Sequence, residues 1–162
     1  MYVIGIDPGP IPGIVRLHLD VNRPGENLVV NGAFLRSADA MQVTPGALIT
    51  VLQALTDGVS PAIALERFVV GPRAARSATA AAGERTRRMV GVVEEWAPRQ
   101  CKLHIRTAGE VKPWATDKRL HTAGLLDLTA GMRHARDAAR HALYSAVRDY
   151  GLPDPLSRAR LR

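Results

Sequence analysis

Four side chains in this sequence have the types and placement to hold a divalent cation: Asp7, Glu66, His134 and Asp137. Asp7 ends the apolar run YVIGID, which PGP stops abruptly, so it projects from the C-terminal tip of a strand whose remaining residues are wanted in a core. Glu66 lies near the end of a second apolar run, IALERF, where its neighbours favour burial and a carboxylate does not. His134 and Asp137 sit at i and i+3 in HARDAARHALYSAVRDY and are neighbours on one helix surface. If the two strands are parallel neighbours, Asp7 and Glu66 emerge at one edge. Their repulsion of about 4 kcal/mol at ~4 Å and an effective dielectric near ~20 would then be relieved by a cation. Hard oxygen ligands with one imidazole suit Mg²⁺ or Mn²⁺. Two such ions about 4 Å apart activate a water and stabilise the leaving oxygen of a phosphodiester. Taken singly, each residue has a plainer reading. Asp7 starts a turn, Glu66 pairs with Arg67 or Arg73 in solvent, and His134 is a capping or surface histidine.

The elements that must position these groups follow from periodicity. Strands are expected over Tyr2 to Asp7, Gly13 to Leu19 and Asn27 to Leu35, then a Ser-Ala-Asp turn. A helix follows from Thr44, with Thr44 as N-cap and Pro45 at its first position. Pro61 to Phe68 returns to strand character and, coming after a helix, joins the sheet parallel to the first strand. Ser77 to Ala97 is helical, Lys102 to Thr107 is a fifth strand, and Thr116 to Leu128 and His134 to Tyr150 are helices. In the last of these, Ala135, Ala138, Ala139, Ala142, Leu143, Ala146, Val147 and Tyr150 recur at helical spacing, and the small alanines let the helix approach the sheet closely. The order predicts an α/β fold of the ribonuclease H-like class: a five-stranded mixed sheet, three antiparallel strands and then parallel strands, flanked by helices.

A length of 162 residues with 46% hydrophobic content suits one domain. That domain spans 1–150 and leaves a basic, proline-containing tail at 151–162. No stretch is apolar and long enough to cross a bilayer, and the N-terminus lacks a secretory pattern, so no membrane partner is expected. The single cysteine, Cys101, excludes an intramolecular disulfide and a multi-cysteine zinc site; it reads as a small packed residue, and the setting as cytoplasmic. The net charge of +7, from 22 Lys and Arg against 15 Asp and Glu, accompanies a polyanionic partner, nucleic acid by default. An aromatic content of 4% argues against a platform that stacks many single-stranded bases, so backbone contacts to duplex or branched DNA fit better. Lys112, Lys118, Arg119, Arg85, Arg87 and Arg88 are the candidate phosphate contacts, each also readable as solvated surface. Trp114 reads as a base stacker or as a plug behind its loop, and His141, one turn past Asp137, as a support for the metal site.

GIDPGP with Asp7, IALERF with Glu66 and HARDAARHAL with His134 and Asp137, in this order and spacing, resemble RuvC-type Holliday-junction resolvases from Tyr2 to about Tyr150. The resemblance implies a metal-dependent endonuclease, a homodimer that nicks two strands of four-way DNA symmetrically. It makes Asp7, Glu66, His134 and Asp137 the catalytic, metal-binding residues, with His134 where members carry Asp or His. AGEVKPWATDKRL resembles the segment that carries DNA-contacting lysines, here Lys112 and Lys118. Phe68 lies near the place of an aromatic inserted beside the junction, and the helix from Ser77 resembles the dimer-forming helix. The proline-rich PGPIPG and the glycine-free PWATDKRL depart from many members, which bears on substrate selectivity more than on chemistry. The Ala and Arg bias and the compact length look like a phage-encoded member from a GC-rich host.

Two other readings compete. A ribonuclease H-like regulator that binds nucleic acid without cutting would keep the fold and charge but lose an acid, whereas all four candidate positions keep ligand-competent side chains. An actin-like ATPase opens with a similar Asp-Gly pair but needs two such lobes, and this chain has length for one.

Overall fold

The computed structural model describes residues 1–19, 35–69 and 80–157, with the backbone alone for 80–82. Five strands form one sheet: β1 (Tyr2–Asp7), β2 (Gly13–Leu19), β3 (Leu35–Gln42), β4 (Ala62–Arg67) and β5 (Lys102–Thr107). Their spatial order is β3-β2-β1-β4-β5. β2 pairs antiparallel with β1 and β3, whereas β4 lies parallel to both β1 and β5, which is the expected mixed sheet. β1 is central and buried from Val3 to Asp7, which is why its sequence is a continuous apolar run and not an alternating one.

The third strand lies later than the sequence pattern suggested. Most of the expected segment, Asn27 to Leu35, falls outside the described residues, and β3 runs through the stretch read as a Ser-Ala-Asp turn. LRSADAMQ is polar because β3 is an edge strand with no fully buried residue. What holds it is the ladder to β2, including the directly opposed pair Arg16 and Asp39, whose side chains meet at 2.8 Å. This cross-strand pairing overrode the local turn preference of Ser and Asp.

Helices cover both faces. On one side α1 (Leu48–Thr56) and α2 (Ala80–Trp96) bury Leu48, Leu52, Met89, Val90 and Val93 against Ile4, Ile6, Ile63 and Leu65 of the sheet. Thr44 and Pro45 open a 3₁₀ turn, Pro45–Ala47, ahead of α1, and the Thr44 side chain makes no capping bond. On the other side α6 (Arg133–Arg148) presents Ala135, Ala138, Ala139, Ala142 and Ala146 to Val3, Val15 and Leu17. Contact there is backbone to backbone. A Cβ added at Gly5 would lie 2.0 Å from the Ala138 carbonyl oxygen, and one at Gly13 would lie 2.1 Å from the His134 carbonyl carbon. Glycines on the strands and alanines on the helix are thus two halves of one close approach.

Between β5 and α6 the chain forms three short helices, α3 (Ala108–Val111), α4 (Asp117–Thr122) and α5 (Leu125–Leu128). α3 was not anticipated. It is fixed by a reciprocal cap in which Thr107 accepts from the Glu110 N–H and the Glu110 carboxylate accepts from the Thr107 N–H. The single helix expected over Thr116 to Leu128 is divided because Gly124 adopts φ 70°, a left-handed conformation that no continuing helix tolerates. Past α6, Leu152 is buried in the core and Asp154 pairs with Arg119, so the tail as far as Ser157 rests on the body. Among the described residues no helix is long and apolar enough to cross a membrane.

Candidate active site

Parallel pairing of β1 and β4 sets Ile6 beside Leu65, so the next residues, Asp7 and Glu66, leave the sheet side by side. The close docking of α6 carries Asp137 to the same place. Asp7, Glu66 and Asp137 each offer a carboxylate oxygen, and these oxygens all lie within 4.8 Å of one another. Three acids from three elements thus converge where a sheet edge meets the first turns of the last helix.

Each carboxylate has a different setting. Asp7 accepts from the Gly9 N–H at 3.0 Å, a bond within the proline-flanked turn, and its Oδ2 lies 2.8 Å from His134 Nδ1. Burial, reinforced by the negative charge of Glu66, raises the Asp7 pKa above the ordinary carboxylate value, although the bond to His134 opposes this. Asp137 is also buried, which by itself would raise its pKa. Lys112 Nζ, at 3.0 Å from Oδ2, and Arg140, bonded to Oδ1, outweigh burial and hold it below the ordinary value. Glu66 Oε2 stands 3.2 Å from Nε2 of the buried His141, close enough for an ion pair, yet the two atoms are angled so that neither completes a hydrogen bond.

These observations favour a divalent cation. Two coupled carboxylates, one of them with a buried oxygen lacking a hydrogen-bond partner, form an electrostatically strained group that a hard cation with oxygen ligands would relieve. His134 stands at the margin. Its imidazole bonds to Asp7, its backbone N–H donates to Gln42 Oε1 at 3.0 Å, and it is not part of the three-carboxylate group. The cleft over the acids, about 200 Å³, is lined also by Pro8, Gly9, Pro10, Phe68, Thr86, Lys112 and Arg133. Phe68 therefore borders the site while packing against the core beneath α1 and α2.

The basic residues named from the sequence divide into groups. Lys112 reaches the site. Lys118 is exposed on α4. Arg119 is held in the fold: its guanidinium bonds Asp154 at 2.9 Å, donates to the Trp114 carbonyl and stacks 4.6 Å from the centre of the Trp114 ring. Trp114, half-buried and edge-on to Tyr144, serves as that platform. Arg85, Arg87 and Arg88 lie on the exposed side of α2, Arg88 paired with Glu84, while Thr86 on the opposite side lines the cleft. Cys101 is buried at the start of β5, and burial raises its thiol pKa.

Several contributors were not legible in the sequence. Gln42 orients the start of α6 from 92 residues away, and no local pattern marks such a contact. Arg133, Arg136 and Arg140 carried a signal that went unread, since i, i+3 and i+7 form one stripe of a helix.

No family model and no curated relative matches the sequence. Solved structures do match the fold, two of RuvC among them. A Thermus thermophilus RuvC structure superposes with a TM-score of 0.55 at 20% identity, covering 96% of this chain and 100% of that one. T. thermophilus RuvC in complex with Holliday junction substrate superposes with a TM-score of 0.54 at 19% identity, covering 90% of this chain and 93% of that one. The chain has the RuvC, ribonuclease H-like fold. The phage origin suggested by composition gains no support from either match.

Proposed function

We propose that this protein is a metal-dependent, structure-selective DNA endonuclease that resolves Holliday junctions and other branched DNA by hydrolysing phosphodiester bonds. The observation that carries this reading is the convergence of Asp7, Glu66 and Asp137 within 4.8 Å at the edge of a RuvC-like sheet, beneath a rim that includes Lys112 and Arg133. The junction-bound neighbour supports branched DNA as the partner.

In this reading Asp7, Glu66 and Asp137 hold Mg²⁺ or Mn²⁺, two ions per site, with His134 as a further ligand or as the group that orients Asp7. The bound ions supply activation of a water and stabilisation of the departing oxygen. The chain's own residues do the rest. Gly9 and His134 fix the Asp7 carboxylate from two sides, His141 stands behind Glu66, and Lys112 and Arg140 keep Asp137 ionised over the working pH range. Lys112 and Arg133 line the mouth, where they attract the phosphodiester, and Phe68 provides an apolar wall beside it. Lys118 and the arginines of α2 extend the positive surface for a large substrate, and Arg119 serves that surface through the loop it braces. The protein acts as a homodimer, through α2 with its exposed Val92, so that two sites meet two strands. Its place of action is the cytoplasm.

The deciding experiment incubates purified protein with four-way, forked, flapped and linear DNAs in Mg²⁺ and in Mn²⁺, wild type beside Asp7→Asn. Wild type should cut the branched DNAs. The variant should lose cutting by at least about a thousandfold while still binding junctions, because phosphate contacts do not depend on Asp7. Tight junction binding by wild type with no cutting in either metal would instead identify a non-cleaving DNA-binding protein.

A further inference from the structure

A second cleft, larger than the first at about 480 Å³, lies against the same wall. It shares Lys112, Arg133 and Asp137 with the cleft over the three acids and adds Arg136 and Arg140 from the next turns of α6. Lys112, Arg133, Arg136 and Arg140 thus line a space to which, among the described residues, Asp137 contributes the single carboxylate.

The four cations are not equivalent. Arg140 is fully committed: Nη1 bonds Asp137, Nη2 bonds Asp117 and Nε donates to the Ala115 carbonyl at 3.2 Å. Lys112 is committed to Asp137. Arg133 and Arg136, one helical turn apart on the same stripe, have no anionic partner among the described residues, and Arg136 Nε is buried with no acceptor at all. Two like charges at i and i+3 repel, and a buried guanidinium N–H without an acceptor is costly to the fold. Both penalties disappear when an anion enters between them.

We infer that this cleft is a second phosphate subsite, in which Arg133 and Arg136 grip the phosphodiester that neighbours the one placed over the three acids. The inference rests on the endonuclease reading above and specifies how the substrate strand lies. Among the described residues no aromatic side chain lines the cleft, so none there offers a base a stacking face, whereas a guanidinium fork matches phosphate oxygens in pairs. Phosphates recur about every 3.4 Å of duplex axis along one strand, so a pocket that shares a wall with the first lies within reach of the same backbone. Arg133, which lines both clefts, then spans the two phosphates, while Arg136 serves the second alone.

The test measures binding of a four-way junction in chelator, where cutting plays no part, as a function of salt. Compared are wild type, Arg136→Gln, Arg133→Gln with Arg136→Gln, and Arg136→Lys, each checked for folding by its thermal midpoint. Each lost contact should make the slope of log affinity against log salt shallower by about one and weaken binding about tenfold. Arg136→Lys should keep most of the slope. In a second arm, junctions with a single neutral methylphosphonate linkage are scanned around the cutting point. Wild type should lose affinity at a flanking linkage where the double variant loses nothing more. Equal slopes and equal scans for wild type and double variant would overturn the subsite, as would a wild type that binds no branched DNA. Binding with the expected slope change but no cutting in Mg²⁺ or Mn²⁺ would leave the subsite standing and remove the endonuclease reading instead.

Discussion

The carboxylates gathered at the two ends of α6 differ in how far they are neutralised. At its C-terminal end, Asp149 is surrounded by donors: Arg106 grips it through two bonds of 2.9 and 2.6 Å, Ser145 donates at 2.7 Å, and His104 stands at 3.5 Å. Burial alone would raise its pKa, but the bonds from Arg106 and Ser145 win and lower it. At the N-terminal end, Lys112 and Arg140 lower Asp137 in the same way, but it faces Asp7 and Glu66, and Asp7 is driven the other way by burial and by Glu66. One end spends its charge within the fold and ties β5 to the last helix. The other neutralises Asp137 but leaves Asp7 and Glu66 repelling each other. The lesson is that a buried acid should be judged by its partners and not by its depth.

Breaking the satisfied end should give the largest effect on folding. Asp149→Asn leaves Arg106 without its bidentate partner and should lower unfolding free energy by about 3 kcal/mol, read by urea titration at neutral pH. Because the native pKa of Asp149 lies below its unfolded value, its contribution is complete above the unfolded pKa and fades as pH falls through the native one. The gap between wild type and variant should therefore close in acid; a gap that stayed constant would show that Asp149 acts by packing alone.

A smaller effect, on function and not folding, is expected where the two ends differ most in satisfaction. His141→Leu keeps the volume but removes the imidazole behind Glu66, and should raise the Mg²⁺ or Mn²⁺ concentration needed for half-maximal cleavage about tenfold or more. The thermal midpoint in chelator serves as control. An unchanged metal requirement would reduce His141 to a core residue.

The least effect, and opposite in sign to the first, belongs to Asp7→Asn in metal-free protein. A raised native pKa means that the charged form disfavours the native state above that pKa, so neutralising Asp7 should raise the thermal midpoint at neutral pH. The gain should vanish at low pH, where wild-type Asp7 is protonated. A drop in midpoint at neutral pH would mean that the bonds to Gly9 and His134 outweigh the repulsion.

The contrast also explains what could be read from the sequence. Asp7 and Glu66 stood out because each interrupts an apolar strand, and the alanine stripe of α6 announced close packing, so the mixed sheet and its acid-bearing edge were legible. β3 was not, since an edge strand held by Arg16 and Asp39 carries no hydrophobic alternation. Nor was the division at Gly124, a backbone torsion that lies within an otherwise helical pattern. The commitment of Arg119 to Asp154 and of Lys112 to Asp137 depends on contacts 35 and 25 residues apart, and sequence position alone does not distinguish a cation held in the fold from one left for a ligand.

The dependence of the site on α6 has a consequence for when the protein becomes active. Asp7 is made well ahead of its partner His134, which follows 127 residues later. On the ribosome β1 and β2 emerge before α6 does, and Gly5 and Gly13 keep the space into which the α6 backbone packs in the folded protein. The proposed cutting centre is thus completed only when α6 docks, so a chain that still lacks α6 carries two of the three acids without the third.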